Sequence, residues 1–209
     1  VLAGAAVVLA KRHGGLRFPC YRHNEVSVRG IFANYPEVEV LPVGNNAEMR
    51  NLPPYLGETT GLCCGHYHPS PALPGEGFDA WFYRQLEVPL DERWDSCPIG
   101  EAVKKEWQRP VPLFDYALTH DDPSRGYGIR REVGEALIPL KTFHVYGTSI
   151  LRYADMLTHA NEVHCINSSF FHLAESLKPK GNLFLHRYAR PWAPIDTVKT
   201  RHAWEVVDT

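Results

Sequence analysis

The sequence predicts an α/β protein with parallel sheets, arranged as two Rossmann-like domains. Three observations carry that expectation. Short apolar runs alternate with stretches of helical spacing, and strands buried on both faces of a parallel sheet read as such continuous runs. The opening stretch is apolar on all faces, which suits a helix sandwiched against a sheet. No internal repeat and no low-complexity tract interrupts the alternation.

The elements follow in chain order. Val1 to His13 is the opening helix, and Gly14-Gly15 ends it behind the basic Lys11, Arg12 and His13. Leu16 to Tyr21 is a strand. Glu25 to Tyr35 has a helical spacing of Val28, Ile31 and Phe32, closed by Pro36, and Val38 to Val43 alternates as the next strand. Between them, Cys20 to Asn24 ends the first strand, either facing a cleft or turning into the helix with Asn24 as its N-cap. Residues 44 to 77 are rich in Gly and Pro and hold one strand candidate, Gly61 to Tyr67, before a helix around Phe78 to Leu86.

Glu101 to Gln108 is polar and charged, and Pro110 and Pro112 follow it. A domain boundary is expected at residues 100 to 111, giving an N-terminal domain over 1–105 and a C-terminal domain over 106–209. Beyond it, Leu113 to Thr119 and Ala136 to Leu140 read as strands. Ser149 to Ala160 reads as a helix with Ile150, Leu151, Ala154 and Leu157 on one face. Glu162 to Asn167 is a buried strand, and Phe170, Leu173, Ala174 and Leu177 mark the next helix. Asn182 to His186 and Ala203 to Val207 complete the strands.

A formal charge of −2 and a pI near 6.6 give no general basic field, and the densest basic run, Lys11-Arg12-His13 with Arg17, is short. Nucleic acid and anionic membrane are therefore poor partners. The five cysteines are odd in number and Cys63-Cys64 are adjacent, a geometry that rarely suits a mutual disulfide, so a reducing, cytoplasmic setting is expected. The apolar opening falls short of the roughly 20 residues a transmembrane helix needs.

Chemistry is expected where strands of a parallel sheet end, because the helix N-termini there direct free N–H groups outward. One such junction is Asn161 to Leu177, where the strand runs into Ser168-Ser169 and a helix carrying His172. Asn167 would close the strand with its side chain at the crevice, and either serine would cap the helix. The bland alternative has the serines as caps only and His172 as a satisfied surface or core residue. A second junction, Phe114 to Glu132, runs into a polar loop with His120, Asp121, Asp122, Ser124 and Arg125. Arg125 reads as the one cation at the strand end, able to grip phosphate oxygens bidentately. Asp121 and Asp122 would pair with it, hydrogen-bond a sugar or hold a divalent ion.

With these residues the chain resembles the GT-B glycosyltransferases, and among them the ADP-heptose:lipopolysaccharide heptosyltransferases. Their C-terminal halves carry a basic phosphate ligand on one strand-loop and, further on, a strand ending in Val-Asp-Thr-Gly, two more residues and His-Leu. Ile166 to Leu173 is similar to that second motif, with Ser168 for Thr and His172-Leu173 retained. Asn167 stands where the family has a sugar-binding acid, and Ser169 where it has a Gly that lets the diphosphate approach, so the donor sugar need not be heptose. The resemblance implies a two-domain GT-B arrangement with the acceptor on the N-terminal side and the nucleotide sugar on the C-terminal side. It also implies a first strand and a Gly-rich loop with the catalytic base ahead of Val1.

The expectation is therefore a metal-independent glycosyltransferase that needs no cofactor. It takes a sugar from a nucleotide-diphosphate sugar to a glycan or lipid-linked acceptor, with Arg125, Asn167, Ser168, Ser169 and His172 at the phosphates and His120, Asp121, Asp122 and Ser124 as sugar or loop contacts. The alternative is a non-catalytic Rossmann-like module that binds nucleotide, glycan or a protein partner. A third reading is a metal-dependent hydrolase using the His and Asp residues, and separate from it stands a structural zinc site. Cys63, Cys64, His66, His68 and Cys97 include metal-ligand types, but their spacing matches no familiar zinc template. Trp81, Phe82, Tyr83, Trp94 and Trp107 suit either a carbohydrate platform or core packing. No Gly-x-Ser-x-Gly elbow and no phosphate loop of the Gly-x-x-x-x-Gly-Lys-Ser/Thr type is present.

Overall fold

The computed structural model describes residues 2–50, 69–103, 109–130, 136–142, 147–190 and 200–208. The chain divides into two units. One holds Leu2–Ala102, with Tyr146–Ser149, and the other Val103–Val145 and Ile150–Thr209.

In the first unit, helix α1 (Ala3–His13) runs into strand β1 (Leu16–Tyr21), helix α2 (Glu25–Ile31) and strand β2 (Val38–Val43). β1 and β2 pair in parallel, from Leu16 opposite Val38 to Tyr21 opposite Val43. The reason α1 is apolar all round lies in its two neighbours. Ala6, Val7 and Ala10 pack on Cys20, Phe32, Val38 and Val40, while Ala5 and Leu9 pack on Tyr83, Leu86 and Val88. Gly14 ends the helix in the left-handed conformation, at φ 72°, where a side chain would be strained. The first-turn N–H of Ala5, without a partner inside the helix, donates to Tyr83 Oη at 3.1 Å.

Helices α3 (Asn46–Arg50), α4 (Phe78–Gln85), α5 (Glu92–Asp95) and α6 (Ile99–Ala102) are the other described helices of this unit. α4 buries Trp81, Phe82 and Tyr83, and α5 buries Trp94, so these four aromatics are core rather than a stacking platform. Asp79 and Arg93 form an ion pair within that core, each side chain 1% exposed. Two expectations need correction. α2 stops at Ile31 because Phe32 leaves helical geometry and turns into the core against Phe18, with ring centroids 5.4 Å apart. Asn24 makes no side-chain cap; a 3₁₀ turn, Arg22–Asn24, leads into α2 instead. The strand candidate Gly61 to Tyr67 lies outside the described residues.

The second unit is built on five parallel strands, β3 (Tyr116–His120), β4 (Ile138–Lys141), β5 (Glu162–Cys165), β6 (Asn182–His186) and β7 (Trp204–Val207), in the order β4-β3-β5-β6-β7. Counted within this sheet the order is 2-1-3-4-5, one of the two common orders of doubly wound sheets. Helices α7 (Ala154–His159) and α8 (Ser169–Ser176) are the described helices of this unit. Tyr116 Oη donates to the Met156 carbonyl at 2.6 Å, and Glu175, fully buried, accepts from Arg201 N and Trp204 Nε1. The mixed α/β architecture with parallel sheets is as expected.

Several element boundaries differ from the expectation; β4 runs Ile138–Lys141 rather than Ala136–Leu140, and β7 begins at Trp204 rather than Ala203. The strand expected from Leu113 begins at Tyr116, because β4 first pairs there; Leu113 and Phe114 are exposed. The helix expected from Ser149 starts as a 3₁₀ turn, Ile150–Tyr153, and becomes α-helical only from Ala154. β5 ends at Cys165 rather than Asn167, since its partner β3 ends opposite it at His120. Among the described residues no helix is long and apolar enough to cross a membrane.

Candidate functional site

The order 2-1-3-4-5 changes direction between β3 and β5, and in open α/β sheets the crevice outside the strands' carboxyl ends at such a reversal is where ligands bind. Both sequence junctions fall there. His120 pairs with Cys165 at the last rung, and Ile166 N donates to the His120 carbonyl at 3.3 Å. The residues after His120 and those after Ile166 therefore leave the sheet as neighbours.

After β5, Ser168 is the N-cap of α8. Its backbone is extended and its side chain accepts the Phe170 N–H at 3.2 Å, the geometry by which a hydroxyl satisfies a first-turn donor. Ser169 is exposed in the first turn. Asn167 is a loop residue rather than the last of the strand, and its carbonyl accepts from Arg190 Nη1 at 2.9 Å. His172 is 5% exposed and sits edge-on to Phe171, with ring centroids 5.2 Å apart. It thus occupies the core position that the bland alternative allowed.

After β3 the chain makes a tight hairpin. Asp122 and Tyr127 exchange backbone hydrogen bonds, Asp122 N to Tyr127 O and Tyr127 N to Asp122 O, both at 2.9 Å. Ser124 lies in the 3₁₀ turn Pro123–Arg125, and Gly126 supplies the left-handed residue, φ 80°, that closes it. Arg125, its side chain 66% exposed, donates to Asp122 at 2.5 Å, so of the roles open to Asp122 the pairing is realised. Asp121 is drawn inward instead, accepting from Ile129 N at 3.3 Å and lying 3.6 Å from Lys141 Nζ. His120 is held from two sides. Its Nδ1 is 2.7 Å from Thr142 Oγ1, and its ring stacks on Phe170 at 4.6 Å.

Arg125 is not the one cation at the strand ends. Lys141 ends β4, and Arg187 and Arg190 follow β6. Arg190 matters most, because it joins three loops. It comes from the turn after β6, donates to the loop after β5 and lies 5.6 Å from the Tyr127 ring in the loop after β3. Arg125 lies 5.8 Å from the same ring. Burial, and then the nearby Arg125 guanidinium, lowers the Arg190 pKa from its ordinary value. A second tie between these loops runs from Arg130 N to Tyr188 Oη at 2.6 Å. Arg190 was legible by the rule that singled out Arg125, a cation just past a strand.

Beneath the crevice, on β5 and β6, Glu162, His164 and His186 form a hydrogen-bonded row. His164 Nε2 is 2.9 Å from Glu162 and its Nδ1 is 3.0 Å from His186 Nε2, with both imidazoles buried. Among the described residues no three or more His, Cys, Asp or Glu side chains gather as metal ligands would. Cys63, Cys64, His66 and His68 lie outside the described residues, as does Trp107. Cys97 and Cys165 are in no disulfide, and burial pushes the Cys165 pKa up.

Comparison of the chain with protein-family models, with curated proteins and with solved structures gives no match.

Proposed function

We propose that the chain binds a nucleotide-diphosphate sugar at the carboxyl end of its five-stranded sheet and transfers the sugar to a hydroxyl of a glycan or lipid-linked acceptor. The observation that carries this reading is the reversal of strand order between β3 and β5, with Arg125, Asn167, Ser168 and Ser169 on the two loops that leave it. The diphosphate would lie over these loops, near the first-turn amides of α8. The second unit is then the donor side, and the first unit the acceptor side.

In the reaction the acceptor oxygen bonds to the anomeric carbon, and its proton passes to a general base. The bond from that carbon to the diphosphate breaks with its electron pair left on the phosphate oxygen. Guanidinium and N–H donors held in place before the reaction stabilise that charge without reorganising. Arg125 is fixed by Asp122 and by the hairpin that presents it, which is what such a role requires.

A thermal-shift series of nucleoside diphosphates and nucleotide sugars tests the reading. A donor at 100 times its Kd should stabilise the protein by about 2.7 kcal/mol, and the bare nucleoside should do less. A series in which no nucleotide sugar shifts the transition would remove the donor. Binding without transfer to any acceptor would leave the non-catalytic module.

A further inference from the structure

We propose that Arg190 and Arg125 form a two-guanidinium clamp, organised around Tyr127, that takes a diphosphate. The inference deepens the donor reading above and rests on it for the nucleotide; the anion class follows from the arginines themselves. Arg190 is tied down before any ligand arrives, by its hydrogen bond to the Asn167 carbonyl at 2.9 Å. Arg125, more exposed, is held by the Asp122 carboxylate on the Asp122–Tyr127 hairpin. Their guanidinium carbons lie 5.6 and 5.8 Å from the centroid of one aromatic ring.

Two cations held this way repel each other: burial does most to lower the Arg190 pKa, and the Arg125 guanidinium lowers it further. Asp122 offsets one charge only. An anion meeting both forks needs two pairs of oxygens, because each planar guanidinium binds a pair of oxygens along its own edge. A diphosphate meets that requirement. A carboxylate fills one fork only, and a single orthophosphate must divide its four oxygens between the two, whereas a diphosphate offers one phosphoryl group to each. Since Arg190 also holds the Asn167 carbonyl, the same side chain positions the loop that Ser168 caps.

Titration calorimetry with inorganic pyrophosphate and inorganic phosphate, on the whole chain, tests the clamp. The variants are Arg190→Gln, Arg190→Lys and Arg125→Gln, with Arg187→Gln as a control. Arg187 pairs with Asp208 at 2.7 Å, so that change removes a nearby charge without touching the clamp. The parent should prefer pyrophosphate to phosphate by about tenfold or more, and each clamp variant should lose about tenfold for pyrophosphate, or 1.4 kcal/mol. Arg190→Lys should lose nearly as much as Arg190→Gln, since it keeps the charge and loses the fork, while Arg187→Gln should bind as the parent does.

A parent that does not prefer pyrophosphate, or a folded Arg190 variant that binds it as the parent does, overturns the clamp. Should Arg190→Gln not fold, Arg190→Lys and the exposed Arg125→Gln decide the matter. Failure of the donor reading looks different. Arginine-dependent pyrophosphate binding with no response to any nucleotide sugar keeps the clamp and removes the donor. Nucleotide-sugar binding that ignores Arg190 does the reverse.

Discussion

Ser168 accepts the Phe170 N–H while Ser169, one residue on, is exposed in the first turn of α8. The pair thus separates a helix cap from a surface donor. Ser168→Ala should lower stability by about 1 kcal/mol whether or not ligand is present, the usual cost of a lost cap. Ser169→Ala should leave the apo melting temperature close to the parent's and weaken nucleotide-diphosphate binding severalfold if its hydroxyl reaches the phosphates. Melting curves and binding isotherms on both variants check this. If both variants bind as the parent does, the serines are structural and the donor reading loses these two contacts. Asp79 and Arg93 show a different residue-scale fact. Neither could be read as buried from its own identity, and each is tolerated in the core only because the other is there.

At the scale of elements, α8 does more than present its N-terminus. Its fully buried Glu175 accepts from Arg201 N at 2.6 Å and from Trp204 Nε1 at 2.5 Å, while His202 Nε2 lies 2.8 Å from the Leu177 carbonyl just beyond the helix. One carboxylate therefore fastens β7, the last strand, to the helix that carries the candidate site. Glu175→Ala leaves two donors without their acceptor, and hydrogen bonds to a charged group are worth about 1.5–3 kcal/mol each. We expect a loss of about 3 kcal/mol or more, with hydrogen exchange accelerated over Trp204–Val207 ahead of β3 and β5. Uniform acceleration along all five strands would mean that β7 does not open separately from the sheet.

The two units share a response to alkali. In the first, burial raises the Tyr83 pKa above its ordinary value. In the second, burial pushes Tyr116 up to about 12 and raises Cys165 as well. In each case the folded state holds its proton more tightly than the unfolded chain does. The stabilisation is fully present below the unfolded values, about 8.5 for a thiol and about 10 for a phenol. It is lost as pH rises through those values toward the folded ones, because the unfolded chain then releases protons that the fold retains. Denaturation midpoints should hold steady near neutrality and fall progressively above about pH 9. A midpoint unchanged up to pH near 11 would show that these groups ionise in the fold as readily as in the unfolded chain.

The sequence by itself determined what depends on neighbours along the chain. The opening helix, its end at Gly14, the strands Leu16–Tyr21, Val38–Val43 and Asn182–His186, and a serine cap at Ser168 or Ser169 all follow from apolar runs, glycine and short-range hydrogen bonds, and the structure picks Ser168. The same local signals brought Arg125 and Asn167 to strand ends. Tertiary structure decided what depends on residues far apart in the chain. The order β4-β3-β5-β6-β7 creates the reversal between β3 and β5, and no local pattern encodes which strands become neighbours. Strand ends were trimmed to match partners, as β5 was at His120. Glu175, Asp79 and Arg93 became core because distant groups supplied their hydrogen bonds and charges. Arg190 reached Tyr127 and Asn167 across gaps of dozens of residues. Pairing and burial are set by the global packing of strands and helices, so side chains that look alike in the sequence end as surface, core or site.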